Sequence, residues 1–133
     1  MIRLRVYRVE QPASGLGPFS PSCPPRLRDA ISDHCGRAGD FLPEAHRDCP
    51  GFEPGYHVCA VLSLAKVNEW FGPFRTGLLD AGFVLMEYQP LPRNVCHGLS
   101  AHQVGFGRYE ATPRRQITWP EPVAALEQLR LFA

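Results

Sequence analysis

Lysine is almost missing from this sequence: Lys66 is the only one, and arginine supplies every other basic side chain. A charge excess of either sign is missing too, with 14 basic residues against 13 acidic ones and a formal charge of +1. That balance excludes the electrostatic footprint of a dedicated DNA or RNA binder. Long apolar runs are absent. No segment approaches the roughly 20 apolar residues of a spanning helix, and the opening MIRLRVYRVE lacks the continuous apolar stretch of a secretory signal. A cytoplasmic protein with no membrane partner is therefore expected. There is no Cys-x-x-Cys. The five cysteines, Cys23, Cys35, Cys49, Cys59 and Cys96, form an odd, irregularly spaced set that reads as reduced thiols. The pairs His34-Cys35, His46-x-x-Cys49, His57-x-Cys59 and Cys96-His97 bring zinc-ligand types together, but their spacing misses the paired-knuckle patterns, so no metal is expected. Internal repeats and linkers are lacking as well, and residues 1–133 read as one domain.

Proline and glycine, by contrast, are plentiful, at 14 and 12 residues. They argue against a plain helical bundle and for long ordered loops. Residues 2–9 alternate, with Ile2, Leu4 and Val6 opposite Arg3, Arg5 and Tyr7, as in a half-buried strand. Residues 11–25 are loop chemistry. A helix then opens at Pro24-Pro25, carries Leu27, Ala30 and Ile31 on one stripe, and stops at Gly36. The Pro/Gly-rich stretch 37–55 reads as a structureless loop. Residues 56–62 form a strand, Ser63 caps a helix with Leu64, Val67 and Phe71 at helical spacing, and a short helix runs from Pro73 to Gly82. Phe83 to Tyr88 is apolar on both parities, the mark of a central strand. Further strands are expected at 103–109 and 116–119, and a last helix carries Val123, Leu126 and Leu129. The class is α+β, with a mixed or mostly antiparallel sheet and three to four short helices.

Arg8 shares the parity of Ile2, Leu4 and Val6, so a guanidinium points to the apolar side and must be paired. Its partner is either a carboxylate, Glu10 or Glu87, or the phosphate of a ligand, which the planar fork suits. Gly15-Leu16-Gly17-Pro18 lets the backbone approach a ligand or a neighbouring strand closely. Tyr56 and His57 open the second strand with no carboxylate spaced to orient the histidine.

The segments Tyr7-Arg8-Val9-Glu10, Gly15 to Phe19, Ser63-Leu64, Trp70-Phe71, Gly82 to Tyr88 and Gln103-Val104-Gly105-Phe106 together resemble a family of small uncharacterised phage and prophage proteins. The resemblance spans residues 5–106. The layout is also similar to a minimal ADP-ribosyltransferase fold: a first strand carrying Arg, a second strand followed by Ser and a helix, and a later strand carrying an acidic or amide residue. That resemblance implies NAD as cofactor and a catalytic set of Arg8, Ser63 and Gln103. Tyr7, Arg8, Gly15, Gly17, Phe19 and Tyr56 would surround the dinucleotide. Gln103 stands where active transferases carry Glu, whose charge stabilises the cationic ribosyl group better than an amide does. Two functions follow. One is a transferase-like protein that modifies a host protein. The other is a non-enzymatic, anti-CRISPR-like inhibitor that occludes a host protein, with a zinc-stabilised binding module as a third option.

Overall fold

The structure is a computed structural model that describes residues 3–37, 44–108 and 112–120. Among the described residues, six strands form one antiparallel sheet: β1 (Val6–Glu10), β2 (His57–Val61), β3 (Val84–Tyr88), β4 (Val95–His97), β5 (Gln103–Gly107) and β6 (Arg114–Ile117). Their spatial order is β4-β5-β2-β1-β3-β6. The helices are α1 (Pro25–Arg37), α2 (Ala45–Asp48), α3 (Leu64–Phe71) and α4 (Arg75–Asp80), with a 3₁₀ turn at Gly72–Phe74 joining the last two. The class is α+β.

The helices lie on one face of the sheet. Leu27, Ile31 and Cys35 fall at i, i+4 and i+8 along α1, and they pack with Val67, Trp70 and Phe71 of α3 and Leu78 of α4 against Tyr7, Val9, Val61 and Leu85 of the strands. Ala30, expected on that stripe, is exposed, and buried Cys35 takes its place. A second cluster, Val6, Ala60, Met86, Tyr88, Val104 and Phe106, occupies the other face. Both faces of β1 are thus lined by core residues, which corrects the half-buried strand expected from alternation. Tyr7, expected among the outward residues, packs against the helix-side core. The reading of Phe83 to Tyr88 as doubly covered holds: Phe83 and Leu85 join one cluster and Met86 and Tyr88 the other.

Several local expectations shift. The strand expected at 116–119 lies two residues earlier, and its outer edge carries the exposed Arg114, Arg115 and Gln116, a polar rim that discourages further strand pairing. Within the stretch expected to be structureless, α2 makes one helical turn, while residues 38–43 fall outside the described set. Strand β4, three residues long, was not expected. The last helix and Tyr109 also lie outside the described residues.

One irregularity of the sheet positions everything that follows. β1 and β3 share five register pairs, from Val6↔Tyr88 to Glu10↔Val84, whereas β1 and β2 share the single pair Tyr7↔Val61. Beyond that pair the two central strands part. The carbonyl of Cys59 on β2, left without a strand partner on that side, accepts a hydrogen bond from Nη1 of Arg8 at 2.8 Å. A side chain has taken over the work of a ladder bond at the opening, as a buried carbonyl requires.

Candidate functional site

Arg8 is held from three directions. Nε donates to Glu10 Oε1 at 3.1 Å, Nη1 to the Cys59 carbonyl, and Nη2 to the Gly15 carbonyl at 2.7 Å. Of the two carboxylates foreseen as partners, the structure selects Glu10. Glu87 projects from the opposite face of the sheet and pairs with Arg115 at 3.1 Å. Glu10 is fully buried and also accepts from Tyr88 Oη at 2.8 Å and from Arg108 Nη2 at 2.9 Å. Neither Arg108 nor Tyr88 was singled out in the sequence, although Arg108 shares the parity of Val104 and Phe106, the same signal that exposed Arg8. Gly15 is constrained by this network: its φ is +77°, and a Cβ there would stand 2.5 Å from Arg108 Nε.

In front of Arg8 lies a cleft of about 780 Å³ between the sheet, the 17–20 loop, α1, α2 and α3. That volume is in the range of small-molecule sites. The lining includes Tyr7, Arg8, Gly17, Phe19, Cys59 and Gln103. Gly17 comes close to the guanidinium: a Cβ there would sit 3.3 Å from Arg8 Nη2. Nη2 carries a second hydrogen beyond the one given to Gly15, and no acceptor for it stands among the described residues. Aromatic wall is supplied by Phe19 and Phe71, whose ring centroids are 6.2 Å apart. Burial pushes the Cys35 thiol up to about 11, so it lines the cleft as a neutral group.

The expected site residues divide cleanly. Arg8 and Gln103, distant in the chain, share this cleft together with Tyr7, Gly17 and Phe19. Ser63 is not among its lining residues. Its Oγ accepts from the Lys66 amide at 3.2 Å, an N-cap of α3 as its spacing also indicated. Gly15 supports Arg8 from behind through its carbonyl and does not line the cleft. Tyr56 is exposed, stacks edge-on with His57 at 4.8 Å, and borders a separate hollow of about 380 Å³ with Glu53, Arg93 and Asn94. Among the described residues no group of His, Cys, Asp and Glu has the arrangement to hold a metal ion.

Gln103 opens β5, and its Nε2 donates to Asp48 Oδ2 at 3.1 Å. Asp48 is buried, and its carboxylate also accepts from the Ser100 amide at 2.9 Å and the Ser100 hydroxyl at 2.7 Å. Burial by itself would raise the Asp48 pKa, but the hydrogen bonds from Ser100 and Gln103, with the backbone amides of Ser100 and Leu99, outweigh it and hold the carboxyl below its usual range. Sequence reading passed over Asp48. Its partner Gln103 stands 55 residues away, and the segment drew notice only for His46-x-x-Cys49.

Comparison of the whole chain adds a family. The bacteriophage T4 Y00F protein family matches residues 1–120. The chain belongs to that family. The phage resemblance seen in the short motifs is borne out at this level, and the Y00F match extends beyond both ends of the stretch that carried it. No curated protein and no solved structure matches the chain. Among the described residues of this Y00F-family chain, no helix is long and apolar enough to cross a membrane.

Proposed function

We propose that this Y00F-family protein binds a nicotinamide dinucleotide in the cleft in front of Arg8 and transfers its ADP-ribosyl group to a host protein. The observation that carries the reading is that Arg8 of β1 and Gln103 of β5, two of the three residues the resemblance makes catalytic, line one cavity where β1 and β2 part. Glu10 holds the guanidinium in place, so its remaining Nη2 hydrogen is aimed without loss of side-chain entropy on binding. A phosphate oxygen is the acceptor that suits it. Gly17 leaves room for that oxygen, since any side chain there would press on Nη2. Phe19 and Phe71 offer aromatic faces to a ring, and Gln103 offers an amide to the ribose hydroxyls. In the reaction the C1′–N bond breaks with its electron pair leaving on nicotinamide. A nucleophile of the host protein forms the new bond to C1′ and releases its proton to solvent water.

The second reading, occlusion of a host protein without chemistry, has its own observation. Leu16 and Phe19 are each 45% exposed on the loop beside the cleft, an apolar pair available to a partner surface. Calorimetry with NAD separates the two. Saturable binding is expected, with a stabilisation of roughly 2.7 kcal/mol at a hundredfold excess over Kd. Gly17→Val, which fills the space before Arg8, is expected to abolish it. No heat and no thermal shift at millimolar NAD would sink the dinucleotide reading and leave occlusion standing.

A further inference from the structure

We propose that Asp48 is a positioning residue for Gln103: its carboxylate fixes the direction of the carboxamide in the cleft wall and places a negative charge one hydrogen bond behind it. The proposal rests on the dinucleotide reading for its consequence and on geometry for its content. Gln103 lines the cleft and Asp48 does not. The Nε2 end of the amide is directed at Asp48 Oδ2, and a carboxylate, having acceptors only, accepts no other orientation of the group at that contact. Among the described residues the hydrogen bonds to the Asp48 carboxylate come from neutral donors, the Ser100 amide and hydroxyl, Gln103 Nε2 and the Leu99 amide, and no cation pairs with it. Its charge is therefore not cancelled locally. A charge-assisted bond to one end of an amide polarises the other end and makes its oxygen a stronger acceptor. The pair thus supplies, across two residues, part of the negative potential that a single carboxylate would bring to a cationic ribosyl group.

The surroundings hold Asp48 rigidly. Its carbonyl accepts from the Leu99 amide at 2.8 Å, so the β4–β5 connection is clamped at both the backbone and the side chain. Gly98 lies directly beneath: a Cβ there would overlap the Asp48 carboxylate and stand 2.7 Å from the Gln103 carbonyl. Ala101 in the same connection has φ of +65°, a conformation that persists only where neighbours over-determine it.

Two measurements on the full chain test this. In nitrogen-15 spectra of the unaltered protein, the Gln103 side-chain amide signals should shift as acid protonates Asp48 below about pH 4, and Asp48→Asn should remove that step. Amide signals indifferent to pH between 2 and 5 would overturn the pairing whatever the ligand does. In NAD calorimetry, Asp48→Asn should weaken binding roughly tenfold or more. Ser100→Ala, which removes a donor to the same carboxylate but spares the Gln103 bond, should stay within about twofold on the same scale. Gln103→Glu should also weaken binding by setting two carboxylates together. Combining it with Asp48→Asn should restore affinity, a rescue that a merely structural Asp48 would not give. Unchanged affinity in Asp48→Asn overturns the positioning role. Loss of all NAD binding in the unaltered protein overturns the dinucleotide reading, while the amide signals still decide the pairing.

Discussion

Glu10 and Asp48 are both buried carboxylates, yet they are held by opposite kinds of partner. Glu10 meets two guanidinium groups, from Arg8 and Arg108, and the Tyr88 phenol. Asp48 meets an amide, a hydroxyl and a carboxamide. Around Glu10 the cations outnumber the anion, and the network closes behind the cleft as a fixed support. Around Asp48 the charge is solvated by dipoles and left uncancelled next to the cleft wall. Burial says only that both groups must be satisfied; the type of donor decides whether a buried charge serves the fold or projects a field into a site.

The comparison breaks most severely at Glu10. Glu10→Gln leaves two guanidinium groups without their anion, and a loss of about 3–5 kcal/mol in urea unfolding is expected. A loss below about 1 kcal/mol would mean the network is solvated and not closed. Gly98→Ala attacks the other carboxylate without removing it, by driving a methyl group into Asp48. Overpacking should cost about 1–3 kcal/mol, and NAD affinity should fall with it if Asp48 orients Gln103. Ser63→Ala should cost about 1 kcal/mol as a lost cap with NAD affinity unchanged; weakened affinity in a folded variant would return Ser63 to the site. Acid sharpens the same contrast. Because hydrogen bonds depress the folded pKa of Asp48, its contribution is complete above the unfolded value and is lost as pH falls below about 4. Asp48→Asn should flatten that acid limb of the stability curve. The smallest effect has the opposite sign: Ala101→Gly relieves the left-handed backbone and should raise stability by about 0.5–1 kcal/mol.

What could be read in advance follows the range of the interactions involved. The Ser63 cap, the α3 stripe and the doubly apolar β3 are written within one or two turns of chain, so periodicity and capping chemistry expose them. Arg8 showed through parity, and Glu10 was one of two candidates for its partner, separated from Glu87 only when the pairing Tyr7↔Glu87 placed that residue on the other face. Strand β4 and helix α2 are too short to leave a periodic signal, and both exist because partners distant in sequence hold them: β5 pairs with β4, and the 98–100 segment bonds to Asp48.

By itself the sequence determined the α+β class, most of the elements that carry the helix-side core, the phage-family motifs, and the presence of one inward arginine that had to be paired. Those are consequences of local propensity and of burial, which each segment declares on its own. Only the tertiary structure decided that β1 and β2 part after one pair, that Arg8 and Gln103 share a cleft while Ser63 and Tyr56 stand elsewhere, and that Asp48 stands behind Gln103. These depend on strand order, register and the direction of side chains across long separations, where the free energy comes from contacts that no short stretch of chain contains.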